Sequence, residues 1–211
     1  MNEHSFNKWE DEFMKPDDKR TRIINAAIKI FSCTGYAASN VPSIAKAANV
    51  SVGTIYHYLK NKQDILNVAL QTTLANVNSE LTTIFQDNES IEGSYNALFE
   101  ASSLFIKNET ITVHFLYGNL FNPDLDETSI QSRQETTKLL VDFLKKGQSK
   151  KVFIDSGLHT QLSLLIGSLF MLSNFYWLNE NVPGESAPTM NEINHLKNQI
   201  WNGLTVSQAY F

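Results

Sequence analysis

Cysteine is almost missing from this sequence. Its 211 residues include only Cys33, which excludes an internal disulfide framework and suits a reducing compartment. Proline and glycine are sparse, at five and nine residues. Strand-like alternation is also scarce over long stretches, so the reading is all-α. No basic-then-apolar leader opens the sequence, and a cytoplasmic location is expected. The most apolar run, 162–178, is interrupted by serines, a glycine and an asparagine. It reads as a buried helix rather than a membrane span.

Catalytic signatures are missing too. There is no nucleophile elbow, phosphate-binding loop or HExxH, and the five histidines (4, 57, 114, 159, 195) share no ligand-like spacing. Asp124, Asp126 and Glu127 follow Pro123 and read as helix-start acids rather than metal ligands. No cofactor is expected, and nothing supports an enzyme.

What is present is an uneven distribution of charge. The formal net charge is −5, yet Lys15 to Lys62 holds eight basic residues against Asp17 and Asp18. A basic module on an acidic body is the electrostatic footprint of a DNA-binding head. It also argues against an adaptor that binds protein, which would want an acidic or apolar head.

Within that module, VPSIAKAANVSVGTIYHYLKNK (41–62) has the spacing of two short helices, 41–48 and 52–59, joined by a tight turn. Ile44, Ala45, Ile55 and Leu59 face inward, and Ala48 and Val50 close the corner. Asn49 stands where the backbone turns left-handed, and Ser51 caps the second helix. Gly53 lets that helix end approach its target closely, while Thr54, Tyr56, His57 and Tyr58 present polar groups. Such a helix suits a DNA major groove.

These residues resemble the DNA-binding domain of the TetR (tetracycline-repressor) family of transcriptional regulators. The similarity runs from Arg20 to about Leu66, through IINAAIKIFSCTGY, VPSIAKAANVS and VGTIYHYLKNKQDIL. Two departures, Asn49 in place of Gly and Leu59 in place of Phe, keep the physical roles. The resemblance implies a three-helix helix-turn-helix head followed by a helical ligand-binding and dimerisation body, about nine helices in all. It implies DNA contacts from Lys19, Arg20, Arg22, Ser43, Ser51, Gly53, Thr54, Tyr56, His57, Tyr58 and Lys62. Thr54 and His57 would read bases, and Tyr56, Tyr58 and the basic residues would hold phosphates.

The expected organisation is an acidic extension over 1–16, the DNA-binding domain over 17–62 and the body over 63–211. The extension carries Phe6, Trp9 and Phe13 near helical spacing, and its charge suits it poorly to grip DNA. The first helix starts at Asp17–Asp18 and ends at Gly35. From Lys62 a long helix runs to about Gln86, roughly 37 Å at 1.5 Å per residue, long enough to link head to body. Further helices are expected at about 91–107, 109–121, 125–147 (ended by Gly147), 155–179 and 189–206.

In the body, His114, Tyr117, Phe121, Phe170 and Asn174 are the candidates for a pocket that takes a small neutral or lipophilic effector. Ser163 and Gly167 on the penultimate helix, and Ile193, Leu196, Ile200 and Leu204 on the last, are the candidates for a homodimer interface that the resemblance implies. The function expected is a ligand-responsive repressor. It would bind a palindromic double-stranded operator as a homodimer, away from any membrane, and be released by its effector. The alternative is an activator, or a DNA-binding dimer whose body serves only assembly.

Overall fold

A computed structural model describes residues 18–205. The acidic extension expected over 1–16, and Asp17, lie outside the described residues. Nine α-helices make up the described chain: α1 Lys19–Thr34, α2 Val41–Ala47, α3 Val52–Tyr58, α4 Lys62–Asp87, α5 Ile91–Asn108, α6 Thr110–Asn119, α7 Glu127–Ser149, α8 Leu158–Asn181 and α9 Met190–Leu204. The fold is all-α, as the scarcity of breakers and of alternation requires.

Helix ends follow local chemistry. Asp18, Asn40, Ser51, Asn61, Ser90, Asp126 and Thr189 each accept a backbone N–H from the first turn of the helix they precede. Asp126 is thus a cap for α7, as the reading of the acidic cluster requires. Gly147 does not end α7, which runs two residues further to Ser149. A Cβ at this position would collide with the Phe153 ring, so the glycine serves close packing instead.

Two apolar clusters organise the chain. The first joins α1, α2, α3 and the first half of α4, and takes in Phe115 and Leu116 from α6. The second joins the far half of α4 to α5 and α7–α9. α4 therefore belongs to both, and a shift of its axis disturbs both.

α4 is held to α7 by a polar seam. Asn67 donates to the Asp124 carbonyl (3.0 Å) and accepts from the Asp126 N–H (2.8 Å) and the Ser129 hydroxyl (2.6 Å). Further along, Asn78 accepts from the Thr136 hydroxyl at 2.6 Å and donates to the Ser132 carbonyl at 3.3 Å. Asn67, Ser129 and Asn78 are buried. Their mutual satisfaction avoids the cost of an unpaired interior polar group, and it fixes the register of α4 on α7.

Candidate nucleic-acid interface and the head–body joint

The turn between α2 and α3 is a Schellman motif. Val50 N–H donates to Ala45 O at 3.0 Å, and Asn49 N–H donates to Lys46 O at 3.2 Å. Asn49 sits at φ 54, in the left-handed region expected for it. Ile44, Ile55 and Leu59 are buried beneath this corner. The burial fixes which face of α3 remains outside.

That outer face carries the polar groups anticipated for DNA. Tyr56 is 52% exposed and Tyr58 40%, and His57 between them is also exposed, its ring edge-on to Tyr58 at 5.1 Å. The Ser51 hydroxyl accepts the Thr54 N–H at 3.0 Å and lies 2.9 Å from the Thr54 hydroxyl. Ser43 spends its hydroxyl on Asn40 O at 2.7 Å. Gly53 is informative because nothing inside the protein calls for it. Its φ is not positive, and the nearest atom to an added Cβ would be the Ser51 hydroxyl at a relaxed 3.7 Å. A glycine in a helix costs about 1 kcal/mol relative to alanine. The fold does not use that loss, which leaves the surface outside α3.

Lys19 and Arg20 are exposed at the start of α1, and Lys46 and Lys60 are exposed beside the turn and beyond α3. Arg22 is half-buried, and its Nε has no hydrogen-bond partner among the described residues. Lys62 requires a correction. Its ammonium group donates to the carbonyls of Tyr36 (2.8 Å), Ser39 (3.1 Å) and Ala37 (3.4 Å), and stands 4.4 Å from the centre of the Tyr36 ring. An ammonium has three N–H bonds, and all three are taken. The expected phosphate contact gives way to a strap that ties the start of α4 to the α1–α2 loop.

The loop bound by Lys62 also forms one wall of a cleft of about 660 Å³ between head and body. Phe31 and Tyr36 contribute from the head, and His114, Gly118, Asn119 and Asp124 from α6 and the loop after it. Burial, then a hydrogen bond to Asp124 and that group's negative charge, push the Tyr36 hydroxyl up to about 12. His114 stacks on Trp177 with ring centres 3.8 Å apart, and burial lowers its pKa below the usual 6.5. The head meets the body through α1 on α6. The Ser32 hydroxyl donates to Ile111 O at 3.0 Å, and Phe31 stacks on Phe115 at 6.2 Å.

Of the five expected pocket residues, His114 alone lines this cleft. Tyr117 packs edge-on against Phe170 at 5.0 Å, and burial raises its hydroxyl to about 12. Asn174 donates to Phe170 O at 2.9 Å, one turn back on α8. Phe121 is 81% exposed, with the Arg133 guanidinium 4.9 Å from its ring centre. It lies outside this cleft, in the loop beyond the end of α6.

The expected interface residues separate by helix. Ile193, Ile200 and Leu204 are buried in the body core, Ile200 at 1% and Leu204 at 0% exposure, and Leu196 packs partly buried against them. A single subunit already uses that stripe, so it is corrected from interface to core. The outer face of α9 is polar, with Asn191, Asn194, His195 and Asn198 exposed. Ser163 and Gly167 of α8 are exposed, in a row that continues through Phe170, Met171 and Phe175. Length and composition alone would let α8 cross a membrane, and a third of its most apolar window is buried. Its inward side, with Leu165, Leu169, Leu172 and Tyr176, belongs to the body core.

Sequence reasoning missed the Lys62–Tyr36 strap and the Asn67–Asp126–Ser129 cluster. The one signal for the latter was Asn67 and Asn78, two amides set among the apolar residues of α4. Nothing local announced the strap, because its acceptors are backbone carbonyls.

Comparison with known proteins matches residues 23–69 to the family model "Bacterial regulatory proteins, tetR family". An uncharacterised helix-turn-helix transcriptional regulator of Bacillus subtilis, YvkB, is 30% identical over 145 residues, covering 66% of this chain and 71% of its own. The "Fatty acid metabolism regulator protein" of the same organism is 52% identical over 48 residues, 23% of this chain and 25% of its own. Several curated relatives are thus matched over only about a quarter to a half of their length, at 28%, 53% and 25%. A solved TetR-family transcription regulator from Marinobacter aquaeolei superposes with a TM-score of 0.74 over 95% of this chain and 100% of that one, at 15% identity. That last likeness is one of fold.

Proposed function

The chain belongs to the TetR family of transcriptional regulators, and on that premise we propose that it is a homodimeric repressor released from a palindromic operator by a small uncharged effector. Residues 17–62 would hold DNA, and residues 63–211 would bind the effector and pair the subunits. The observation that carries this reading is α3. It is a buried-backed helix with Thr54, Tyr56, His57 and Tyr58 turned outward and a glycine the fold itself does not need. Thr54 and His57 are assigned to base edges in the major groove. Tyr56, Tyr58, Lys19, Arg20 and Arg22 are assigned to the phosphates that flank it, with Ser43, Ser51 and Gly53 at the approach.

Dimerisation is assigned to the outer row of α8, where Ser163 and Gly167 permit close approach and Phe170, Met171 and Phe175 supply apolar area. A single short helix reads few base pairs, and twofold pairing doubles the site. A cytoplasmic protein follows from this role. The matched fatty acid metabolism regulator, by its name, supports a lipophilic effector class.

Selection of bound sequences from random double-stranded DNA tests the reading. Recovery of an inverted repeat, with half-sites about one helical turn apart, is the expected result. Recovery of no preferred sequence would overturn it.

A further inference from the structure

Most polar side chains that line the cleft at the head–body joint already have a partner. The Ser32 hydroxyl is spent on Ile111 O. Asn119 donates to Phe115 O at 2.8 Å and accepts from Asn122 at 3.3 Å, and Asn122 accepts from the Asp124 N–H at 3.0 Å. Tyr36 is bound to Asp124, and Lys62 to three carbonyls. His114 lines the cleft, has no hydrogen bond to any described residue, and its nitrogens are not fully buried. Its ring is held in place by the stack on Trp177.

The walls are otherwise aromatic and apolar, from Phe31, Tyr36 and Pro123. The charges of Lys62 and Asp124 are of opposite sign and lie on the same cleft, so neither an anion nor a cation is favoured there. We infer that the head–body cleft binds a small, uncharged aromatic molecule bearing one hydroxyl or N–H group, which hydrogen-bonds to His114. Cavities of about 300–1,000 Å³ with apolar walls and few polar groups are typical of sites for such molecules.

This inference rests on the regulatory reading above for its consequence, though not for the binding itself. A molecule lodged between Phe31 of α1 and His114 of α6 touches the seam that holds the head to the body. It also touches Tyr36, through which Lys62 ties the head to α4. A ligand that fits the cleft better with its two walls reset therefore shifts α3 relative to its twin. Two recognition helices must keep a separation of about 34–36 Å to dock together.

Gly118 provides a clean test. It lies on the cleft, and a Cβ added there would meet nothing within 4 Å. Gly118→Leu thus blocks the cleft without crowding the fold, and an unchanged melting temperature verifies that. His114→Phe keeps a ring against Trp177 but removes the nitrogens.

Isothermal titration uses 2-naphthol, indole and 4-ethylphenol as probes, with 2-naphthoate and decanoate as controls. At least one neutral aromatic should bind one per chain. Gly118→Leu should abolish that heat, and His114→Phe should weaken binding about two- to tenfold, the weight of one hydrogen bond. The bound probe should also lower operator affinity about 5- to 150-fold in the wild type and not in Gly118→Leu.

Binding that Gly118→Leu leaves unchanged, or no binding by any of the three neutral probes, overturns the site. Tighter binding of 2-naphthoate than of 2-naphthol overturns the ligand class. A chain that binds the probe at the cleft but prefers no DNA sequence would instead overturn the repressor reading and leave the site standing.

Discussion

Lys62 and Tyr36 are joined twice, once by a 2.8 Å hydrogen bond from the ammonium to the tyrosine carbonyl and once by the ammonium above the aromatic ring at 4.4 Å. The contact spans 26 residues of sequence and links the first residue of α4 to the loop that follows α1. It makes α4 a lever fixed at the head rather than a loosely attached connector.

Lys62→Ala should therefore cost stability rather than DNA charge contacts. Hydrogen bonds to a charged group are worth about 1.5–3 kcal/mol, and a loss in that range is expected from urea unfolding. The salt slope of DNA binding should stay near that of the wild type. Exposed Lys46→Ala should behave in the opposite way if it holds a phosphate, lowering the slope by about 0.9 with little change in stability. A lowered slope in Lys62→Ala would restore its phosphate role.

Gly53→Ala separates folding from binding. Removing a helical glycine from an uncrowded position should stabilise the head by about 0.5–1 kcal/mol. The same methyl group should weaken operator binding, because the proposed interface would place it between the α3 backbone and the DNA. Thermal melting and fluorescence anisotropy on the selected operator report the two effects. Unchanged or tighter DNA binding would remove Gly53 from the interface.

His57→Ala should relax sequence preference at one operator position, at a cost of about 1–3 kcal/mol for the preferred base. Competition with single-base operator variants measures this. A uniform loss across all variants would reassign His57 to phosphate.

Phe175→Glu and Ile200→Ala should fail in different ways. Phe175 is 46% exposed in one subunit, so the glutamate should yield a folded monomer by sedimentation. Ile200 is buried, and its truncation should cost about 2–5 kcal/mol while the surviving protein stays dimeric. A dimeric Phe175→Glu protein would move the interface away from α8.

His114 gives the protein a mild sensitivity to acid. Burial sets its folded pKa below the 6.5 of the unfolded chain, so as pH falls the folded state takes up fewer protons than the unfolded chain does. Its contribution to stability is complete above 6.5 and declines as pH drops below that value toward the folded pKa. Melting temperatures of the wild type and His114→Phe should diverge in that window, with the wild type losing more. Parallel curves would mean that His114 does not titrate differently on folding.

Much of the head was legible because its determinants are local. Asn49 at a helix end, Ser51 ahead of an apolar turn, and Ile44 and Ile55 at helical spacing each act within four residues of chain. Backbone geometry and capping then leave little choice. The body was legible as helices but not as faces. Ile193, Ile200 and Leu204 form as good an apolar stripe as any interface would, and periodicity says only that a stripe is covered. Whether the core or a second subunit covers it depends on how α9 lies across α8.

The amino-acid sequence by itself determined the all-α class, the helix-turn-helix and the outward residues of α3, since those follow from spacing and capping over a few residues. Tertiary structure alone decided that Lys62 binds carbonyls instead of phosphate. It likewise decided that the α9 stripe is spent within the subunit, and that His114 opens onto a cleft at the joint rather than a pocket with Tyr117 and Phe121. Each of those outcomes depends on groups 20 to 100 residues apart, brought together by packing of helices whose crossing is a cooperative property of the whole core.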